Sequence, residues 1–208
     1  MCVNVGLMHT QQRSETTRAQ LLKAAEACFS ISGYDGASIA DICQRAGVSK
    51  GAFYHHFPTK QALFLELLSR WLEGLDTQIA RARQDAPNVL VALQTIAGMV
   101  HQVFTLDKGR LPIFLVFWMQ AARDPEAWAV TIGHYRHYQA LFAAMIAEGI
   151  AEGSIAPTVD ADAAAQALVS LGVGLIMQGL LDPKGADWGR VAENSVRILL
   201  DGLRRRAS

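Results

Sequence analysis

GYDGASIADICQRAGVSKGAFYHHFPTKQAL, from Gly33 to Leu63, contains two short helical patterns separated by a turn, and the fold follows from how they are read. Ser38 opens SIADICQRA with Asp41 three positions on. That is the spacing of a capping box, in which a hydroxyl and a carboxylate satisfy the free N–H groups at a helix start. Ala46-Gly47-Val48 makes a tight turn, Ser49 caps KGAFYHHF, and Pro58 ends that second helix. Ile39, Ile42 and Cys43 place apolar atoms on the inner face of the first helix, and Val48 plugs the turn. Ala52 with Phe53 or Phe57 turns the second helix inward, leaving Ser49, Lys50, Gly51, Tyr54 and His55 on its outer side.

Two helices joined by a glycine-containing turn have the form of a DNA-binding helix–turn–helix. The outward set is short, polar and cationic, and its glycine lets a helix N-terminus press into a major groove. Lys50 and Tyr54 are able to bond phosphates or base edges. Ser38, heading the first helix, offers a phosphate its free backbone N–H groups. Lys60, heading the long helix that follows, is placed for a second phosphate contact. An ordinary helical hairpin with Tyr54 and the histidines half-buried would show much the same face, so on pattern alone both readings stand.

The stretch Gly33–Leu63 also resembles the signature of the TetR/AcrR family of bacterial transcriptional regulators. The matching elements are a Gly-aromatic pair, a hydroxyl residue opening the first helix, an Ile-Ala-Gly-Val core, Ser-x-Gly-x-x-Tyr-x-His-Phe, and a downstream lysine. The resemblance covers roughly residues 14–70. It departs at Ala37, where a hydroxyl is common, at Cys43, where alanine is usual, and at Gln61, where glutamate is frequent. Carried over by position, it implies DNA contacts from Ser38, Ser49, Lys50, Gly51, Tyr54, His55 and Lys60, with His56 structural beside Phe57. It further implies an all-α fold of about nine helices and a homodimer on a palindromic operator in double-stranded DNA. The fold would be an N-terminal three-helix helix–turn–helix DNA-binding domain plus a C-terminal helical ligand-binding and dimerisation domain.

Periodicity outside this stretch is helical throughout. Upstream, a helix is expected from about Ser14 to Ile31, ended by Gly33. Downstream, helices are expected at 60–83, 88–106, 111–122, 125–152, 160–181 and 187–206, separated by Gly, Pro and Asp. The expected organisation is a disordered tail over 1–12, a helix–turn–helix domain over 13–60 with its recognition helix at about 49–56, and an effector-binding and dimerisation domain over 61–206.

Composition narrows the function. The chain has 208 residues, 19 Lys+Arg against 19 Asp+Glu, and only 18% charged residues, which excludes a globally basic binder and leaves room for a local basic face. Residues 1–60 carry six Lys/Arg and four Asp/Glu, a small excess in the direction a DNA-binding end requires. Low charge with 51% hydrophobic residues predicts apolar surface hidden in a subunit interface, a ligand cavity, or both. Cys2, Cys28 and Cys43 form neither a disulfide framework nor a zinc cluster, and the chain reads as reduced and cytoplasmic. The uncharged stretches 86–106 and 163–181 have the length of a membrane span but carry polar residues, so buried helices are expected rather than a membrane.

Half of the sixteen aromatic residues fall between Phe104 and Phe142. Phe104, Phe114, Phe117, Trp118, Trp128, Tyr135, Tyr138 and Phe142, with His101 and His134, have the mixture of a mostly apolar ligand pocket with a few polar groups. Simple core packing would use the same residues; taken as a set, they suggest an apolar or amphipathic small-molecule effector. His134 and His137 have minimal metal-ligand spacing, yet no Cys or paired acid joins them, and neither metal nor cofactor is expected. Leu168, Leu171, Gly172, Leu175, Ile176 and Gly179, continued by Val196, Leu199 and Leu203, suit a four-helix dimer interface. The expected function is a ligand-responsive repressor; the alternatives are an all-helical enzyme or lipid-handling protein using the aromatic cavity and, within DNA binding, a ligand-independent regulator or activator. No GxSxG, phosphate loop, HExxH or apolar carboxylate pair supports catalysis.

Overall fold

The computed structural model describes residues 4–105 and 125–204. Among them lie eight helices: α1 Asn4–Gly36, α2 Ile39–Ala46, α3 Lys50–His56, α4 Lys60–Asp85, α5 Val89–Thr105, α6 Pro125–Ala151, α7 Ala161–Leu181 and α8 Trp188–Leu203. The described residues contain no strand, only an isolated bridge between Ile155 and Arg204. The expected helix 111–122 lies outside the described residues. The chain divides into two compact units, Met1–Glu73 and Gly74–Ser208, and passes from one to the other within α4.

The first unit, the head, is built on α1. Leu21, Leu22, Ala25, Cys28 and Phe29 are buried along one side of that helix. Gly33, with φ 69°, breaks the helical run where the sequence expects it to end. Tyr34 then folds its ring against Phe29 (5.4 Å) and Phe64 (4.9 Å). Because Phe64 sits in α4, the first turns of α4 belong to the head's core, and the division falls at Glu73–Gly74 rather than at 60–61. The helix also starts earlier than expected, at Asn4 inside the stretch read as a disordered tail. Between there and Ser30 Gly6 is the one glycine and no proline intervenes, so no strong breaker stops the helix from running back.

The second unit has its own core. Ile79 and Ala82 of α4, Val89, Leu93 and Ile96 of α5, Met145 and Ile146 of α6, Ala165 of α7, and Val196 and Leu200 of α8 are buried together with Ile155. α5 packs along α8 and α6 along α7. Helix starts are capped by side chains. Asn88 Oδ1 accepts from Val91 N (3.0 Å), Asp160 Oδ1 from Ala163 N (3.1 Å), and Asp187 Oδ1 from Arg190 N (3.2 Å). Glu152 Oε1, from the turn after α6, accepts from the Val89 N–H at 2.6 Å, and Arg83 holds both Glu148 (Nε to Oε2, 3.1 Å) and Glu152 (3.6 Å). At Gly149 the chain approaches itself so closely that a Cβ would stand 2.7 Å from Ile155 Cδ1.

Candidate nucleic-acid interface

Local bonds set the helix–turn–helix. Ser38 Oγ accepts from Asp41 N (3.1 Å) while Asp41 Oδ2 accepts from Ser38 N (3.1 Å), completing the capping box read from the sequence. The hydrogen bond from the Ser38 hydroxyl, and then that from the Ser38 backbone N–H, hold the Asp41 carboxyl below the usual carboxylate range. Gly47 takes a left-handed conformation (φ 68°) and donates to Gln44 O (3.2 Å), and Val48 N donates to Cys43 O (3.0 Å). Ser49 Oγ accepts from Ala52 N (3.1 Å) and starts α3. Ile42 (0%), Cys43 (4%), Phe53 (0%) and Phe57 (2%) are turned inward, so both phenylalanines serve where the sequence left a choice. Burial pushes the thiols of Cys28 and Cys43 up.

The outer face of α3 is open. Ser49, Lys50, Gly51, Tyr54 and His55 are exposed, and Ser38 with them at the start of α2. Tyr54 keeps 56% of its surface in solvent while its ring meets the buried Phe53 edge-on at 5.4 Å. A Cβ at Gly51 would meet only Ser49 Oγ, at 3.7 Å, so packing within the chain does not require glycine there. His56 is half-buried, its ring 5.1 Å from that of His55. Burial, then His55, then Arg18 hold its imidazole below the ordinary range. Arg18 lies 5.4 Å over the Phe57 ring and pairs with Glu66.

Two of the residues singled out in the sequence also bond within the chain. The Ser38 hydroxyl donates to Asp41 Oδ2 at 2.6 Å, so its proton is already used within the capping box. Lys60 turns back into the head, donating to Tyr34 O (2.7 Å) and Ala37 O (3.0 Å) with its ammonium 4.3 Å from the centre of the Tyr34 ring. Sequence position alone could not show this, because the carbonyls lie 26 and 23 residues away.

In the second unit, Tyr138 and Phe142 of α6 are half-buried against the core. The Tyr138 phenol is pushed up by burial, then by the Asp76 carboxylate and its hydrogen bond to it. Asp76 Oδ1 also lies 3.3 Å from His137 Nε2. Tyr135 OH accepts from Gln139 Nε2 at 2.9 Å, His134 is half-buried, and Trp128 is 53% exposed. His101 and Phe104 fall in the last turns of α5 with their side chains outside what is described, and Phe114, Phe117 and Trp118 lie outside the described residues altogether.

The candidate interface residues divide into two groups. Leu175 (3%), Val196 (8%) and Gly179 are buried by their own chain, so their neighbours are intramolecular. Leu168, Leu171, Gly172, Ile176, Leu199 and Leu203 are half-buried. The most exposed apolar side chains here are Leu181 (79%) and Ile198 (72%). Ile198 lies on the side of the last helix away from the buried Ala192, Val196 and Leu200, so the spacing of that apolar stripe does not single it out. Leu181 had no signal beyond its place at the helix end. α7 is long and apolar enough by length and composition to cross a bilayer, yet only 22% of its most apolar window is buried inside the chain.

A small head presenting a capped helix–turn–helix, joined to a larger helical unit, defines a DNA-binding transcriptional regulator. Residues 21–67 match the family described as bacterial regulatory proteins, tetR family, and residues 92–205 match the BetI-type transcriptional repressor C-terminal family. The chain belongs to the TetR family of transcriptional regulators and is not an enzyme. It is 31% identical to the HTH-type transcriptional regulator TtgR of Pseudomonas putida, over 94% of this chain and 95% of that one. It is 24% identical to the HTH-type transcriptional regulator UidR of Escherichia coli, over 93% and 95%. A crystal structure of a putative transcriptional regulator from Pseudomonas aeruginosa superposes with a TM-score of 0.75 at 28% identity, covering 89% of this chain and 88% of that one.

Proposed function

We propose that this regulator is a cytoplasmic, ligand-responsive repressor that binds a palindromic operator as a homodimer and is released by an apolar or amphipathic small molecule. The observation that carries the DNA-binding face is the outer side of α3, where Lys50, Gly51, Tyr54 and His55 stay in solvent although Phe53 between them is fully buried. Glycine costs a helix about 0.5–1 kcal/mol relative to alanine. With no internal neighbour to demand it, Gly51 is best explained by the close approach of something outside the chain.

Two copies follow from energetics. One helix–turn–helix makes few phosphate contacts, whereas linking two raises avidity through effective concentration. The uncovered apolar surface of α7, with Leu181 and Ile198, supports a second copy as its cover. α4 begins in the head and ends in the second unit, so an effector preferring one spacing of the paired heads would shift the population away from the operator-competent form. A tenfold loss of DNA affinity needs only about 1.4 kcal/mol of differential binding.

The test is binding of the intact protein to duplex from upstream of its own gene. Lys50→Ala combined with Tyr54→Ala should abolish specific binding, and binding by the parent should weaken steeply with salt. Retained specific binding by the double variant would remove α3 as the reading helix. Thermal-shift screening with apolar and amphipathic compounds tests the effector arm, where no stabilisation by any of them would favour a ligand-independent regulator.

A further inference from the structure

Lys60 opens α4, yet its ammonium reaches back across the whole helix–turn–helix. An ammonium carries three donors on a compact charge. Here the Tyr34 carbonyl (2.7 Å), the Ala37 carbonyl (3.0 Å) and the face of the Tyr34 ring (4.3 Å) surround it. Both carbonyls follow the break at Gly33, where a helix end leaves C=O groups without intrahelical partners. Ala37 is 2% exposed and directly precedes Ser38, the cap of α2. Lys60 itself stands just behind Pro58 and Thr59, which close α3. One cation therefore ties the start of the reading module to its finish.

We infer that Lys60 is a positioning residue for DNA recognition: it fixes where α2 begins, and with it the angle at which α3 is presented, without itself touching phosphate. This rests on the DNA-binding reading of the head. The two possible roles of the lysine leave different signatures. Neutralising a cation that contacts phosphate lowers the slope of log K against log salt by about 0.9 per contact. A clasp contributes affinity and leaves that slope alone.

The experiment uses the intact protein and three variants, Lys60→Met, Lys60→Gln and Lys50→Met. Each is titrated onto duplex from upstream of its own gene over a range of salt. Lys60→Met should bind roughly tenfold more weakly with the parent's slope, whereas Lys50→Met should flatten the slope by about 0.9 per head. Lys60→Gln, which keeps a donor for one carbonyl and so guards the test against a folding failure of the Met variant, should lose less affinity with the slope unchanged. A flattened slope in either Lys60 variant, or affinity within about twofold of the parent in both, overturns the inference. Hydrogen exchange without DNA provides a separate readout. The amides of Ala37, Asp41 and Ile42 should exchange roughly tenfold faster in both variants, while those of α8 should not. Unchanged protection at those three amides overturns the clasp even if the parent binds no duplex at all. Failure of the parent to bind would count against the proposed function instead.

Discussion

Gly51 and His56 lie five residues apart and do opposite things. Gly51 contributes nothing to the head's packing, since a methyl group there would stand in ordinary contact with Ser49 Oγ alone. Gly51→Ala should therefore stabilise the head by about 0.5–1 kcal/mol in urea denaturation. It should weaken DNA binding at least about tenfold by setting a methyl group between α3 and the groove floor. A variant both more stable and equally tight on DNA would show that nothing approaches Gly51. His56 works within the fold. Its imidazole is held below the ordinary range, so the unfolded chain takes up a proton at higher pH than the folded head does. Where the unfolded state binds more protons, stability falls as pH falls. Acidification from pH 7.5 to 5.5, across the ordinary histidine range near 6.5, should thus destabilise the parent more than His56→Gln. Equal losses from chemical denaturation at the two pH values would assign the acid sensitivity elsewhere.

At the scale of elements, caps decide where helices start. The Ser38–Asp41 box was legible because both partners lie within one turn. Ser38→Ala should cost about 1 kcal/mol of head stability, the usual loss for an N-cap. The Asp41 carboxyl, lowered by its bonds to Ser38, stabilises above the ordinary carboxylate range, and that contribution fades as pH falls through its own lower value. Thermal melts at pH 7 and pH 3 should therefore differ more for the parent than for Asp41→Asn. The second bond at the start of α5, beyond the local Asn88 cap, was not legible, because Glu152 Oε1 and the Val89 N–H are 63 residues apart and only the fold brings them together. The bonds of Lys60 within the head were not legible for the same reason, as a sequence gives a lysine's position but not the distant carbonyls it reaches. Helices 60–83, 125–152 and 160–181 were readable to within a few residues from punctuation by Pro, Gly and Asp. The backward extension of α1 to Asn4 was not, since polar helix formers without an apolar stripe look like a tail.

At the scale of the whole molecule, α7 and α8 leave apolar side chains in solvent. Sequence periodicity marked both helices as apolar but could not separate residues facing their own core from residues facing another chain, because both classes follow the same spacing. Burial separates them. Leu175 and Val196 are consumed inside the chain, whereas Ile198 and Leu181 remain more than two-thirds exposed. Leu175→Ala should then behave as a core deletion, losing about 2–5 kcal/mol whatever the protein concentration. Ile198→Arg should leave the fold intact, because that side chain already stands in solvent. If a second copy covers it, the buried unpaired charge should split the dimer, moving sedimentation from dimer to monomer at micromolar concentration. Apparent DNA affinity should fall by about 10²-fold or more, since each head would then bind alone. A dimer that survives Ile198→Arg with operator binding unchanged would place the interface elsewhere on the second unit, and Leu181→Arg, at the exposed end of α7, is the variant that then distinguishes an interface on that helix from one that avoids both.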